Sequence, residues 1–438
     1  MLLNAADKAL WRLALPMIFS NITVPLLGLV DTAVIGHLDS PVYLGGVAVG
    51  ATATSFLFML LLFLRMSTTG LTAQAWGAKD PQRLARALVQ PLALALGAGV
   101  LIILLRLPLI DLALHIVGGS EAVLEQARRF LEIRWLSAPA SLANLVLLGW
   151  LLGVQYARAP VILLVVGNLL NIVLDLWLVM GLRMNVQGAA LATVTAEYAT
   201  LIIGLLMAKR VLTLRGVSLA MLKNAWRGDL RRLLALNRDI MLRSLLLQLC
   251  FGALTVFGAR LGSDIVAVNA VLMTMLTFTA YALDGFAYAV EAHSGQAYGA
   301  RDGSQLLEVW RAACRQSGMV ALAFALIYSL AGQYIIALLT SLPSLQQLAD
   351  RYLIWQTILP VVGVWCYLLD GMFIGATRGA EMRNSMAVAA AGFAVTLLTL
   401  PVLGNHGLWL ALAVFLALRC VSLALIWRRH WRRGTWFS

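Results

Sequence analysis

The chain carries one signature twice, 222 residues apart, so any fold it adopts must accept two copies of one half. Residues 73–84 read AQAWGAKDPQRL and residues 295–306 read GQAYGARDGSQL. Gln74, Gly77, Asp80 and Leu84 fall on Gln296, Gly299, Asp302 and Leu306, and Lys79 faces Arg301. The same offset sets Gly149 and Gly153 on Gly371 and Gly375, and Ala48-Val49 on Ala270-Val271. Solenoid units run to roughly 20–50 residues, so this period marks a duplicated half-molecule. In an apolar chain, such duplication points to two lobes around a midplane cavity, the plan of membrane transporters.

The chain is apolar enough for that plan. Apolar residues make up 61% and charged residues 12%, with a mean hydropathy of +0.87; soluble domains carry about 25% charge. Runs near 20 residues, the length a spanning helix needs, are predicted at about 11–36, 44–72, 87–107, 129–153, 159–180, 187–208, 239–260, 267–291, 313–340, 350–375, 384–402 and 406–427. The first run starts near Trp11, is long enough to span and lacks a small-residue cleavage site, so no cleavable signal is expected. The expected fold is therefore all-α and integral to the membrane, with twelve transmembrane helices in two pseudo-symmetric six-helix lobes around a central cleft.

The net charge of +13 would suggest nucleic acid in a soluble protein, but the positions of the basic residues point to orientation instead. With the N-terminus inside, the inner loops hold Lys79, Arg83 and Arg86, then Arg158, then Lys209 through Arg238, then Arg301, Arg311 and Arg315, then Arg378 and Arg383. The outer loops are short or acidic, with Asp39, Asp111, Glu121, Glu125 and Asp264. The positive-inside rule then puts both termini in the cytoplasm. Residues 1–208 form the first lobe, 209–238 a basic cytoplasmic segment, 239–427 the second lobe and 428–438 a basic tail. The basic segment reads as an orienting element attracted to anionic headgroups, and the Trp-containing tail as an interfacial anchor. Cys250, Cys314, Cys366 and Cys420 lie in or beside spans at no paired spacing, so they read as small buried hydrophobes rather than metal ligands. No phosphate-cradling loop, nucleophile elbow or His/Cys cluster is present in the sequence. No cofactor or metal is expected, and transport would draw on an H⁺ or Na⁺ gradient.

Polar residues inside spans carry the functional signal, because an acid near the bilayer centre costs about 2.5–3.5 kcal/mol on insertion scales. Asp31 lies in the outer half of the first span, after Pro16 and Pro25, either of which permits a bend by removing a backbone hydrogen bond. In the fifth span Asn168, Asn171 and Asp175 fall on one helical face. Thr193, Glu197 and Thr200 do so in the sixth, and Asn144 sits in the fourth. A buried carboxyl with amide and hydroxyl neighbours can hold a proton, and the same oxygens can ligate Na⁺. In the eighth span Thr277, Tyr281, Asp284, Tyr288 and Glu291 form an aromatic and acidic stripe suited to cationic amphipathic compounds. A packed interhelical seam is the alternative reading of that stripe. Asp370 and Arg243 are further second-half charges, with partners the sequence does not specify. By the repeat offset Asp31 falls on Ala253 and Asp175 on Leu397, so ion coupling is expected in the first lobe alone.

ALP at 14–16, LVDTAVIGHL at 29–38, AQAWGAKD, GQAYGARD and NIVLD at 171–175 resemble the multidrug and toxic compound extrusion (MATE) family over essentially the whole chain. The stretch NRDIMLRSLLLQLCFGA at 237–253 resembles the branch of DNA-damage-inducible bacterial inner-membrane proteins. The resemblance implies a V-shaped central cleft and export of organic compounds against entry of H⁺ or Na⁺. It also implies a first-lobe cation site at Asp31, Asn144, Asn171, Asp175 and Thr193, and a helix-1 bend at Pro16. Relatives can carry a Tyr four residues before the helix-1 Asp, where Leu27 stands here. The sodium-coupled NorM branch pairs a helix-7 Glu with a helix-10 Asp; Asp370 resembles the second, but helix 7 offers Arg243, which favours H⁺.

The sequence thus reads as a monomeric inner-membrane antiporter, taking a small organic substrate from within or beside the lipid bilayer and no nucleic acid. One alternative is a flippase of a lipid-linked precursor, for which a basic cavity would be expected; another is a membrane-embedded aspartyl enzyme using Asp31 and Asp175. Charge asymmetry also makes a topological prediction. Asn224→Cys should react with a membrane-impermeant maleimide only after cells are opened, and labelling in intact spheroplasts would overturn the whole orientation.

Overall fold

The computed structural model describes residues 3–36, 38, 40–228 and 230–438; the side chains of 23–33 and 36 lie outside the described residues. Twelve long helices follow one another. The first half holds α1 (Ala5–Gly36), α2 (Pro41–Gly77), α3 (Pro81–Leu104), α4 (Glu121–Gly153), α5 (Arg158–Gly181) and α6 (Asn185–Leu214). The second holds α7 (Leu230–Arg260), α8 (Ser263–Gly299), α9 (Gly303–Leu339), α10 (Pro343–Gly375), α11 (Gly379–Leu403) and α12 (Asn405–Arg433). Short helices at Arg106–Val117 and Leu219–Asn224 interrupt two of the connections. The fold is all-α, as expected for a twelve-helix membrane protein. At 37 residues each, α8 and α9 run to about 55 Å, well beyond a hydrocarbon core of about 30 Å, so their ends lie outside the apolar layer.

The chain divides into two compact units, Ile22–Leu233 and Met1–Asn21 with Leu234–Ser438. The division falls inside α1 rather than in a loop. The beginning of α1 is fastened to the second-half helices by specific contacts. Arg315 of α9 donates to buried Asp7 at 3.1 Å. The Trp11 indole donates to Gln316 at 2.9 Å and meets Phe286 edge-on. Gly285 of α8 makes room for Ile18, since a Cβ there would stand 2.2 Å from Ile18 Cγ1.

The repeat seen in the sequence is a repeat of backbone closures. After α2, the amide of Lys79 donates to Trp76 O and that of Asp80 to Ala75 O; after α8, Arg301 donates to Tyr298 O and Asp302 to Ala297 O. Lys79 and Arg301 share a left-handed φ of 53°, the conformation that turns a chain out of a helix and satisfies its last carbonyls. Asp80 and Asp302 then cap the next helix, accepting from Gln82 and Arg83 amides and from the Gln305 amide. The conserved-looking motif is thus a helix-stop followed by a helix-start.

The duplicated glycines do the corresponding work between helices. A Cβ on Gly149 would lie 2.6 Å from Arg65 O, and one on Gly153 3.1 Å from Thr69 O, so α4 touches the backbone of α2. A Cβ on Gly371 would lie 2.6 Å from Ala287 O, and one on Gly375 2.8 Å from Glu291 O, so α10 touches α8 in the same way. This small-xxx-small seam is the packing device available to helices in lipid. It makes α4 and α10 the inner helices of their units: the most apolar stretches of these two are 78% and 72% buried, against at most 39% in α2, α3, α5–α9, α11 and α12. Side chains such as Leu338 and Val402 on the outer faces are almost fully exposed, as lipid contact requires.

Two expectations need revision. The basic segment 209–238 is largely helical, because α6 continues to Leu214 and α7 begins by Leu230; long Lys and Arg side chains let a helix leave the apolar layer without ending. The tail is not simply an interfacial anchor either. Trp436 is buried against Phe373, with Arg378 donating to the carbonyls of Thr435 and Trp436 and stacking on the indole.

Gly371→Ala should lower the thermal midpoint and the folded yield by overpacking the α8–α10 seam, a cost of about 1–3 kcal/mol. Gly252→Ala, where an added Cβ meets nothing within 4 Å, is the control. Equal behaviour of the two variants in a detergent melting assay would refute the seam.

Candidate functional site

In the unit Ile22–Leu233, α5 presents two faces. Leu169, Val173 and Trp177 are more than half exposed, whereas Asn171 and Asp175 are buried, at 2% and 1% exposure. The polar stripe therefore faces protein. Directly after Asp175 the helix widens into a π turn, Leu176–Gly181. Such turns are rare and are frequently found at functional sites. Asn171 Oδ1 has no hydrogen-bond partner among the described residues. Beside this stripe, Asn144 of α4 donates its amide to Glu197 of α6 twice, to the carboxylate at 3.0 Å and to the backbone carbonyl at 3.1 Å. Thr200 lies against Gly167 of α5, and its hydroxyl, like that of Thr193, bonds back to its own helix. Asn144 thus gains the carboxyl partner Glu197, and α4, α5 and α6 together supply amides, hydroxyls and two acids. The side chains of Asp31, Pro25 and Leu27 lie outside the described residues, while Pro16 sits half-buried within α1.

In the second-half unit, the stripe on α8 is graded. Thr277 is exposed, Tyr281, Asp284 and Tyr288 are half-buried, and Glu291 is buried. The backbone carbonyl of Glu291 lies under Gly375, in the α8–α10 seam. The half-buried central trio keeps part of its surface open. Asn21 of α1 donates to the backbone carbonyl of Tyr281 at 3.1 Å.

Asp370 and Arg243 pair with each other, Arg243 Nη2 donating to Asp370 Oδ2 at 2.7 Å. Arg419 of α12 donates to the same oxygen. All three side chains are at most a tenth exposed. Tyr367, one turn earlier on α10, lies within electrostatic reach of Asp284, Asp370 and Arg419. Arg419 was not among the residues singled out from the sequence. Its signal was present as a lone arginine inside VFLALRCVSLAL, an ionisable residue in a span that had to have a partner.

The geometry thus comprises one duplicated helical half, a buried carboxyl-and-amide face in one unit and a guanidinium-held acid in the other. A family model described as MatE matches residues 16–177 and 240–403, one match in each half. The chain belongs to the MATE family. It is a membrane transporter of this multidrug efflux family, not an enzyme, which leaves the flippase and aspartyl-enzyme alternatives without support. It is similar to the DNA damage-inducible protein F of Escherichia coli (strain K12), 87% identical over 100% of this chain and 95% of that protein. It is more distantly similar to the probable multidrug resistance protein NorM of Acinetobacter baylyi, 23% identical over 95% of each. Among solved structures, MATE in the bent conformation superposes with a TM-score of 0.85 at 23% identity, over 99% of this chain and 96% of that one. An outward-facing MATE multidrug transporter gives a TM-score of 0.82 at 24% identity, covering 99% and 97%. These structural likenesses concern the fold.

Within the MATE chain the Asp370 cluster makes a clear prediction. Asp370→Ala would leave two buried guanidiniums without a counter-charge, a loss of about 3–5 kcal/mol for breaking a buried pair. The thermal midpoint of the purified variant should fall well below that of the parent; an unchanged midpoint would show that the ion pairs contribute nothing to the unit.

Proposed function

We propose that this MATE chain is a proton-coupled antiporter of the bacterial inner membrane, exporting amphipathic organic cations by alternating access. The observation that carries the reading is the division of carboxylates between the units. Asp370 is committed to two guanidiniums, so it is not free to ligate Na⁺, an ion that needs several oxygen ligands. In the other unit Asp175 is a buried carboxyl on the polar face of α5, at the head of a π turn. With Asp31 on α1, it forms the coupling group: two acids brought close disfavour double ionisation, so one of them loads and releases a proton. Asn171, Asn144 and Thr193 supply the surrounding hydrogen bonds, and protonation biases the unit between two packings. Tyr281, Asp284 and Tyr288 form the substrate path, attracting cations by charge and by aromatic faces. The chain acts as a monomer with both termini cytoplasmic. The name of the E. coli relative ties that protein to DNA damage, and the same physiological setting is proposed here.

Proteoliposomes with separately imposed ΔpH and ΔpNa test this reading. The parent should export a fluorescent organic cation under ΔpH alone. Asp31→Asn and Asp175→Asn should each abolish that export while equilibrium binding of the cation survives, and the double variant should be little worse than either single one, as for groups acting together. Asp284→Asn should weaken export of cations more than of neutral compounds. Normal ΔpH-driven export by Asp31→Asn, or export driven only by ΔpNa, would end the proposal.

A further inference from the structure

The charge on Arg243, Asp370 and Arg419 does not balance. Two guanidiniums share one carboxylate oxygen, which leaves one positive charge in a cluster whose members are each at most a tenth exposed. Among the described residues no second acid lies within ion-pair distance of either arginine. The Nε–H of each guanidinium also lacks an acceptor there. The Phe415 ring lies 5.5 Å from the Arg419 guanidinium carbon, and Cys366 and Leu369 beside Asp370 are buried. Tyr367 lies within electrostatic reach of the cluster and of half-buried Asp284, which forms no ion pair with either arginine.

A buried charge has two ordinary escapes. Lysine or histidine would shed its proton, but arginine does not deprotonate in proteins. Water can hydrate the surplus charge but cannot cancel it, and the cost of an unpaired ion in a low-dielectric interior remains large. The other escape is a counter-ion. Two vacant Nε–H donors on adjacent guanidiniums are the groups that would hold it, in charge-assisted hydrogen bonds.

We propose that the Arg243–Asp370–Arg419 cluster is a binding site for a small monovalent anion, seated against the two Nε–H groups in the second-half unit. One surplus charge and two Nε–H donors call for a compact monovalent anion, whether a free halide or a short carboxylate. This site is independent of the proton-coupling reading and would stand if that reading failed.

The test uses the full-length protein in detergent at constant ionic strength, with bulky gluconate as the reference anion. Chloride, bromide and acetate are titrated in while thermal midpoint and tryptophan fluorescence are followed. Chloride should raise the midpoint saturably by about 2 °C or more. A response to halides alone assigns the site to a free halide, and a matching response to acetate extends it to carboxylates; either supports the site. Arg419→Gln and Arg243→Gln make the cluster neutral and should lose the anion response. Arg419→Lys removes one of the two Nε–H donors and can discharge when buried, so it should weaken the response, which covers the case in which the Gln variants do not fold. Identical midpoints in chloride and gluconate for the parent would overturn the proposal, as would an undiminished response in the folded Gln variants.

Discussion

Lipid tails are as apolar as leucine, so burying a leucine between two membrane helices gains little over leaving it in the bilayer. What remains is closeness of approach, and everything in this protein is arranged around two places where backbones come nearly into contact. Gly149 and Gly153 let α4 lie on α2, and Gly371 and Gly375 let α10 lie on α8. Because those contacts involve carbonyl oxygens, there is no larger side chain that fits. The two inner helices then fix where the polar residues on their neighbours point. Asn144 reaches Glu197 from α4, and Asp370 meets both arginines from α10.

The halves share a scaffold but divide the polar chemistry. One unit buries Asn171 and Asp175 on a single face of α5. The other locks its tenth-helix acid between two guanidiniums, which do not discharge in proteins. Duplication followed by divergence of a few intramembrane residues is sufficient to produce that difference, since the closures at Lys79 and Arg301, and at Gln155 and Thr377, remained the same.

Much of this was legible in the chain. The twelve spans, the repeated closures and the burial of Asn171 with Asp175 all follow from periodicity and offset, which are local properties. The pairing of Arg243 with Asp370 was not, because it joins residues 127 apart and depends on the angle at which α7, α10 and α12 pack. Arg419 escaped attention for the same reason. The burial of Trp436 was also hidden: a tryptophan among arginines at a chain end reads as an interfacial residue until Arg378 and Phe373 are seen to receive it. Asn144 had no partner until the approach of α6 supplied Glu197.

The fastening of the start of α1 to second-half helices bears on how the protein is made. Asp7 and Trp11 are synthesised well before their partners Arg315 and Gln316, which lie 308 and 305 positions later. At about 5–20 residues per second of synthesis, the opening helix waits roughly 15–60 s before the groups that hold it exist. Until then Asp7 has only its local hydrogen bonds with Asn4, and the docking of this helix end has to follow synthesis of α9. The unit that holds the second-half helices is therefore incomplete until residues synthesised long before it dock onto it.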